Sequence, residues 1–470
     1  MPFARIFRNN RVMSSVAGGP SSQSALLAFG ARNVRSYWDE VHFSLVGTRL
    51  SDAQVLRNLS IAGTRTPVGV LPAAGIFGAN ASGKSTVLRA MADMRAVVLG
   101  SFRQGDQQSK IHRRPFLLHK AGAERPSRFD VDLVLGGVRW QYGFEIDDQR
   151  VLGEYAYYYP KGRQALVLRR DEGGRLEFGP TYRSSGHTLA RLVRSNALLL
   201  SVAGAAADDS TGKGLHITSL IGPLFGWFRT SLRLMEPRNK EPHITITADR
   251  MWSPDARGDV LALLQAADLG IADMERFQPD LDPKAADLLK RAFRIIEGHG
   301  DTPGEGQEEK IVIGELVRLK HMGRDGPVLI DPEHESQGTL VWVSLIGPVL
   351  EALQGGVTVL LDELDASLHP HLAQRLIGLF QDPYTNPNCA QLVFSAHDVT
   401  ILGDSAQRTL GRDQIWFAEK EGDGTTALYP LADFRPKGDE AVGRRYLQGR
   451  YGGVPVLDPA EFRRITNPTR

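Results

Sequence analysis

The sequence is almost without cysteine and has no long apolar run. A single cysteine, Cys389, occurs among 470 residues, which excludes an intramolecular disulfide framework and fits a reducing compartment. The nearest approach to a membrane span, Ala197–Ala207, is shorter than the roughly 18 residues that a span requires. We therefore expect a cytoplasmic protein with no membrane partner, in which Cys389 is a small buried side chain.

An excess of either charge is also absent. The formal net charge is +2 and 23% of the residues are charged, so the chain has no global signature of polyanion binding. A local basic groove for DNA stays open. The length predicts two or three structural units with a large core. They follow a predicted disordered start over residues 1–24, which is rich in arginine and serine and lacks acids.

The most informative stretch that is present reads G-A-N-A-S-G-K-S-T, and it fits the pattern G-x-x-x-x-G-K-[ST]. An apolar, strand-like segment (Val68–Phe77) precedes it, and a segment with helical spacing (Ser85–Met94) follows. Glycines let backbone N–H groups turn inward around a polyphosphate, and a helix N-terminus adds partial positive charge. We predict that ATP binds to the whole loop: Gly78, Ala79, Asn80, Ala81, Ser82, Gly83, Lys84, Ser85 and Thr86.

Two acids at the end of a second apolar segment complete the predicted catalytic group. Residues 357–363 read V-T-V-L-L-D-E, a buried strand that ends in Asp362 and Glu363. Within the loop, Lys84 supplies charge to the β- and γ-phosphates, and the Ser85 hydroxyl ligates Mg²⁺. Asp362 is the second predicted Mg²⁺ ligand, and Glu363 is predicted to orient and deprotonate the attacking water.

A histidine and a helix start are further candidates. The strand Q-L-V-F-S-A-H ends at His397, and strand ends line the ligand crevice of open α/β sheets. An imidazole there can hydrogen-bond the γ-phosphate. The segment E-S-Q-G-T opens a predicted helix upstream of the acid pair, so its backbone N–H groups can meet an anion. The residues concerned are Ser336, Gln337, Gly338 and Thr339.

The remaining pattern predicts an α/β fold. Arg128–Asp147 alternates around a Gly-Gly turn, as a β-hairpin does. Residues from Ser184 to Ile296 have a mostly helical pattern with one strand-like interruption at His243–Ala248, and Glu297–Glu309 is predicted to be a flexible loop. We divide the chain into a first ATPase lobe (25–183), a helical insert (184–310) and a second ATPase lobe (311–470).

Together these motifs resemble the ABC-type ATPase heads of the RecF, SMC and OLD group, and above all the stand-alone bacterial ATPases of phage-defence modules. The resemblance is carried by N-V-R-S before the loop, by D-E-L-D-A-S-L-H-P, by S-A-H and by the terminal Y-L-Q-G-R-Y-G-x-x-P. It implies a mixed-sheet P-loop core with an antiparallel β-subdomain. It also implies that Arg35, within N-V-R-S, belongs to the nucleotide site.

In such heads ATP binds between two copies. The resemblance therefore implies a homo-oligomer in which one copy supplies the phosphate loop, the acid pair and His397. The other copy supplies the signature (Ser336–Thr339) and Asp365. The form E-S-Q-G-T differs from that of transporters, L-S-G-G-Q, and the only residues that we can offer for a glutamine loop are Gln107 and Gln108.

Three functions compete at this point. A switch ATPase of antiviral defence would control a separately encoded nuclease or toxin, because too few residues follow His397 for a fused Toprim nuclease. A RecF-like DNA-repair clamp would close around duplex DNA and bind it with a steep salt dependence. A transport ATPase would need a membrane-coupling surface, to which nothing in the chain points. Near-neutral charge favours the first.

Overall fold

The computed structural model describes residues 24–51, 56–103, 109–208, 216–236, 240–277, 316–403 and 409–455. The predicted disordered start up to residue 23, the predicted loop at Glu297–Glu309 and the candidates Gln107 and Gln108 lie outside these ranges. The chain forms two compact units. The described part of residues 239–348 makes one of them, and the described residues before 239 and after 348 make the other.

The core of the larger unit is a six-stranded sheet in the order β11-β15-β16-β5-β17-β18. Its strands are parallel except for the terminal hairpin of β17 and β18. The three central strands are buried along their whole length, which explains their continuous apolar runs. The six strands are β5 (Ala73–Phe77), β11 (Leu232–Met235), β15 (Thr358–Leu361), β16 (Gln391–Ser395), β17 (Ile415–Lys420) and β18 (Thr426–Pro430).

A seven-stranded antiparallel sheet lies in the same unit, in the order β10-β9-β8-β7-β6-β1-β2. The predicted hairpin is confirmed as β6 paired with β7 around Gly136 and Gly137. The strands are β1 (Ala25–Arg32), β2 (Val41–Ser44), β6 (Ser127–Leu135), β7 (Val138–Ile146), β8 (Val151–Tyr158), β9 (Ala165–Arg170) and β10 (Leu176–Phe178). A small pair, β3 (Arg57–Leu59) with β4 (Val68–Val70), completes the β-structure of this unit within the described ranges.

One glutamine ties the two large sheets together. The Gln391 side chain, on β16, accepts a hydrogen bond from the Leu26 amide at 2.7 Å and donates to the Leu26 carbonyl at 2.9 Å. It also donates to the Leu71 carbonyl. A buried amide has two donors and an acceptor to satisfy, so Gln391 is satisfied only when β1 and β16 lie side by side.

Helices of the larger unit cover its sheets. The first, α1 (Lys84–Gly100), buries Val87, Leu88, Met91 and Met94 at helical spacing. After the acid pair, α8 (Pro370–Gln381) buries Leu376, Ile377 and Phe380. The others are α2 (Arg183–Ala190), α3 (Leu199–Asp208), α4 (His216–Gly226) and α9 (Val442–Leu447).

The smaller unit holds three helices and a three-stranded antiparallel sheet among its described residues. The helices are α5 (Glu241–Trp252), α6 (Arg257–Ala266) and α7, which begins in this unit and ends in the larger one (Gln337–Gly355). The strands are β12 (Ile271–Phe277), β13 (Leu316–Gly323) and β14 (Gly326–Ile330). Helix α7 is long and apolar enough to cross a membrane, contrary to our expectation from the sequence, but 72% of its apolar window is buried inside the protein. It is therefore a core helix.

The predicted strand at His243–Ala248 is wrong, because these residues lie inside α5. Thr247 is fully buried; its hydroxyl donates to the Val343 carbonyl at 2.6 Å and accepts from the Gly347 amide at 2.9 Å. These bonds to α7 override the β propensity of the I-T-I-T segment, which is a weak preference.

Two further strand predictions need correction. Val68–Phe77 is not one strand, because β4 ends before Pro72 and β5 begins after it; proline has no N–H for a sheet ladder. The segment read as mostly helical also contains β11 and β12. β11 pairs in parallel with β15, more than a hundred residues further along the chain, so local pattern could not reveal it. Cys389 is buried, as predicted.

Candidate nucleotide site

The glycine-rich loop follows β5 and leads directly into α1, as its pattern predicts. It borders a cavity of about 640 Å³ lined by Ser36, Asn80, Ala81, Gly83, Lys84, Ser85, Thr86, Glu363, Asp365, Ala366 and His397. Gly83 has φ +100°, and a Cβ there would lie 2.3 Å from the Thr426 hydroxyl oxygen. Only glycine adopts this backbone without strain and leaves room for the neighbouring strand.

The Lys84 side chain is hydrogen-bonded to the backbone of its own phosphate loop. Its ammonium donates to the carbonyls of Gly78 at 2.8 Å and Ala79 at 2.7 Å, and the residue is 5% exposed. Burial lowers the pKa of Lys84 to about 8, although the nearby Asp365, Asp362 and Glu363 act in the opposite direction. The cation is thus held at the cavity by carbonyls, which an incoming anionic oxygen can replace.

Asp362, just beyond β15, is the most densely bonded side chain of the site. Its Oδ1 accepts from the Ser85 hydroxyl and from the Ser395 hydroxyl, each at 2.6 Å. Its Oδ2 accepts from Arg89 Nη2 at 3.0 Å. Ser395 in turn accepts from the Glu363 amide at 2.8 Å. The structure therefore brings together the two residues that the sequence predicts as Mg²⁺ ligands.

Three further predicted site residues, Glu363, His397 and Asp365, line the same cavity as the phosphate loop. Glu363 has φ +55° in the turn after β15, and it lines the cavity together with His397. Asp365 Oδ2 accepts from the amides of His397 at 2.8 Å and Asp398 at 2.6 Å. We predicted Asp365 to act across a dimer seam; in the structure its carboxylate binds the backbone of its own chain and faces the chain's own phosphate loop.

A chain of hydroxyl groups braces the loop from the side. The Thr426 hydroxyl, on β18, donates to Ser82 O at 2.9 Å and lies 2.8 Å from the Ser36 hydroxyl. Ser36 lies 2.8 Å from the Thr86 hydroxyl on α1. Sequence reasoning missed Thr426 because nothing local marks it; the available signal was the strand-like pattern T-A-L-Y that follows the turn at Glu421–Gly424.

The C-terminal motif packs behind the loop. A Cβ on Gly78 would lie 2.3 Å from the Ala418 carbonyl of β17, and Gly453 lies close to the Gly78 Cα. Phe417 stacks between Tyr446 and Tyr451, with ring centroids 5.2 and 5.6 Å away. The Tyr446 hydroxyl donates to the Gly453 carbonyl. The terminal Y-L-Q-G-R-Y-G segment thus fixes the back of the phosphate loop.

Arg35 does not face the cavity, and this corrects the prediction. Its guanidinium is paired with Asp93 of α1, at 2.5 Å from Nε and 2.9 Å from Nη2. It therefore anchors the N-V-R-S turn to α1. The neighbouring Ser36 is the residue of that turn that lines the cavity.

The predicted signature residues lie in the smaller unit, where they open α7. Ser336 caps the helix, because its hydroxyl accepts from the Thr339 amide at 3.1 Å and lies 2.8 Å from the Thr339 hydroxyl. Ser336 and Gln337 are exposed, whereas Thr339 is 6% exposed. Thr339 is therefore an internal brace of this turn and not a surface contact as predicted. Glu335, the residue before Ser336, has its Oε1 2.7 Å from Nε2 of His321 on β13.

The donor set beside the loop fits a divalent cation. Ser85 and Asp362 offer a hydroxyl and a carboxylate oxygen that are 2.6 Å apart, and Ser85 lines the cavity together with Lys84. Mg²⁺ prefers such oxygen ligands and commonly takes one or two from the protein and the rest from phosphates and water. Ser85 and Asp362 are thus able to hold Mg²⁺.

Parallel strands, a glycine-rich loop at a helix N-terminus and an acid at the end of β15, two places from β5 in the sheet, define a P-loop nucleoside-triphosphatase head. A family model described as "AAA domain, putative AbiEii toxin, Type IV TA system" matches residues 73–198 and 238–403, more than half of the chain. The chain belongs to this family of AAA-type ATPase domains. This confirms the predicted fold class and the relationship to ATPases of abortive-infection modules.

Among solved structures, the chain is similar to the recombination mediator protein RecF with ATP, of the RecFOR pathway. The two are 11% identical, the alignment covers 88% of this chain and 100% of that chain, and the TM-score is 0.32. At this score the likeness is coarse. No curated protein matches the chain.

Proposed function

We propose that this protein is an ATP-hydrolysing switch that closes as a dimer around ATP and, in the cytoplasm, controls a separately encoded nuclease or toxin of antiviral defence. The observation that carries the ATPase part is the 2.6 Å contact between Ser85 and Asp362 beside the cavity of Lys84 and Glu363. The defence part is supported by the family description, which names an abortive-infection toxin.

In this proposal the loop binds the triphosphate through its backbone N–H groups and through Lys84. The Lys84 ammonium exchanges the carbonyls of Gly78 and Ala79 for phosphate oxygens, and its pKa rises as it meets the anion. Mg²⁺, held by Ser85 and Asp362, would neutralise part of the phosphate charge. The Asp362 carboxylate does not need to move far, because the Ser395 hydroxyl already holds it in place.

Glu363 is the proposed general base. It follows the metal-binding Asp362 directly and lines the cavity, so its carboxylate can orient a water at the γ-phosphate and accept a proton from it. The proposed role of His397 is to hydrogen-bond the γ-phosphate. Because Asp365 binds the His397 amide, loss of that phosphate would be transmitted to the turn after the acid pair.

The second half of each site is proposed to come from another copy. Ser336 and Gln337 are exposed at the N-terminus of a 19-residue helix, where backbone N–H groups and partial positive charge favour an anion. In a two-fold dimer each copy would present this turn, Gly338 included, to the phosphate loop of its partner.

The first experiment uses the slow-hydrolysis variant Glu363→Gln on a sizing column. We expect ATP to convert it from monomer to dimer at micromolar concentration, because the bound γ-phosphate is no longer removed. The matched control is the double variant Lys84→Ala, Glu363→Gln, which should stay monomeric. A Glu363→Gln protein that binds ATP and remains monomeric would contradict the dimer.

A mixing experiment tests whether the site is shared. Lys84→Ala lacks the loop cation, and Gly338→Arg blocks the signature turn, so each is expected to be inactive alone. An equal mixture should recover about one quarter of the wild-type ATPase rate, since half of the random dimers then hold one intact site. No recovery, with both variants folded, would show that the two halves do not meet between copies.

Duplex DNA distinguishes the alternative, a RecF-like DNA-repair clamp. The switch proposal expects the ATPase rate to be nearly independent of DNA. Strong stimulation by DNA that disappears at higher salt would favour the clamp instead.

A further inference from the structure

We propose that Arg89 is an exchangeable counter-cation for Asp362, and that Glu236 takes over its guanidinium when Mg²⁺ occupies the site. This makes Arg89 a positioning residue that sets how tightly the site binds the metal. The inference rests on the proposed function, since it concerns the same Mg²⁺ and ATP.

The three side chains meet at one guanidinium nitrogen. Arg89 Nη2 lies 3.0 Å from Asp362 Oδ2 and 3.3 Å from Glu236 Oε1. Arg89 follows Ser85 by four residues on α1, so the two side chains lie on the same face of the helix. The arginine therefore reaches Asp362 from the same side as the proposed metal ligand.

The fold explains why Glu236 is present at this point. β11 and β15 are parallel neighbours, with Met235 paired with Leu361, and the Asp362 amide donates to the Met235 carbonyl at 3.1 Å. The residues that follow, Glu236 and Asp362, consequently leave the sheet at the same edge. Two carboxylates at adjacent strand ends thus share one arginine.

The burial of the three groups sets the direction of exchange. The Asp362 side chain is 4% exposed, whereas those of Arg89 and Glu236 are 44% and 43% exposed. A buried carboxylate that loses its cation is strongly destabilised, and without metal Arg89 is the cation in direct contact with Asp362. Lys84 binds the loop carbonyls and acts on Asp362 through its charge alone. The Ser85 and Ser395 hydroxyls give it hydrogen bonds but no charge.

Two cations on one carboxylate repel each other. When Mg²⁺ is bound, Arg89 is therefore expected to move toward its second carboxylate. Glu236 is mostly solvated and already within 3.3 Å, so this exchange needs a rotation of one side chain and no change of backbone. Arg89 competes with the metal, and Glu236 weakens that competition.

The test is a Mg²⁺ titration of ATP binding by calorimetry, with metal-free ATP in chelator as the second measurement. For Arg89→Ala we expect the half-saturating Mg²⁺ concentration to fall about fivefold, the upper end for a partly exposed ion pair. Metal-free ATP should bind about fivefold more weakly, because a positive charge near the phosphates is lost. If Arg89 had a merely structural role, its loss would weaken both the binding of Mg²⁺ and the binding of metal-free ATP.

Glu236→Gln should act in the opposite direction. It removes the alternative partner, leaves Arg89 on Asp362 and raises the half-saturating Mg²⁺ concentration. Arg89→Lys keeps the charge and should return both values toward wild type. The matched control is Arg95→Ala on the same helix, whose guanidinium binds the carbonyls of Phe228 and Arg229; neither measurement should change.

The outcomes separate this inference from the function beneath it. If the wild-type protein binds no ATP with or without Mg²⁺, the proposed function fails. If it binds ATP normally but Arg89→Ala and Glu236→Gln shift the Mg²⁺ dependence in the same direction, or not at all, only the exchange is overturned. Should Arg89→Ala not fold, Glu236→Gln still decides, because Glu236 is partly exposed.

Discussion

The phosphate loop and the signature turn are both helix starts, but they are built in opposite ways. Around the loop, Lys84 and Asp362 have partners within their own chain, and Thr426 braces the backbone. In the signature turn Ser336 caps the helix and Gln337 accepts a hydrogen bond from Lys240, but the Ser336 and Gln337 side chains are exposed. Near it, on the β13–β14 hairpin, Met322 is 67% and Val328 is 52% exposed.

This difference indicates how the work is divided. A site whose side chains are held by second contacts is preorganised, so ligand binding costs little rearrangement. The signature turn is an exposed helix start, and the partial positive charge of a helix N-terminus suits it to an anionic ligand or a partner that arrives from outside. In the proposed function, the first region binds ATP by itself and the second contacts the ATP that is bound to another copy.

The largest expected effect comes from removing the loop cation. Lys84→Ala should lower ATP turnover by about a hundredfold or more, as loss of one preorganised charge donor typically does. The steady-state ATPase rate measures it. A variant with full turnover would contradict the comparison, because the loop would then not be the catalytic half.

A smaller effect is expected from the loop backbone. Gly83→Ala places a Cβ at φ +100° and 2.3 Å from the Thr426 hydroxyl, a strain of about 1–3 kcal/mol. We expect a lower melting temperature and weakened ATP binding. Gly258→Ala in α6 is the control, because nothing lies near its Cβ and alanine favours a helix. Equal behaviour of the two variants would show that the loop is not rigid.

The pH dependence of ATP binding should report Lys84. In the free protein the pKa of Lys84 is about 8. Below this pH the amine is already protonated, so the affinity for ATP should be nearly constant. Above it the free protein must take up a proton to bind, so affinity should fall by up to about tenfold per pH unit. Lys84→Arg stays charged, and its residual binding should be flat over the same range. A flat wild-type profile would show that Lys84 is not the binding cation.

The smallest effect concerns the signature cap. Ser336→Ala removes the hydrogen bond to the Thr339 amide and should cost about 1 kcal/mol of stability. ATP affinity of the monomer should not change, since the proposal gives this turn no role before dimerisation. Thermal unfolding and ATP calorimetry measure the two separately; a large loss of monomer affinity would place the turn in the primary site.

Much of the site was accessible from the sequence. The loop, the acid pair and His397 each follow a strand or precede a helix, and such local patterns pointed to them. Part of the loop, Glu363 and His397 line one cavity, and Asp362 is buried beside it against Ser85. The prediction that Arg35 belongs to the nucleotide site was wrong, because the N-V-R-S motif does not indicate where the side chain points. In the structure it pairs with Asp93. The predicted strand at residues 243–248 was wrong, because the preference of β-branched residues for strands is weak and the contacts with α7 override it.

The sequence by itself determined that a glycine-rich loop of the P-loop pattern and an acid pair at a strand end exist, because their spacing and their flanking strands are local properties. Only the tertiary structure decided which groups meet them. Thr426 contacts the loop, Ser395 contacts Asp362 and Glu236 contacts Arg89. Each of these partners lies on or just after a strand that is distant along the chain from the group it contacts. Such contacts depend on strand order, which no local pattern contains.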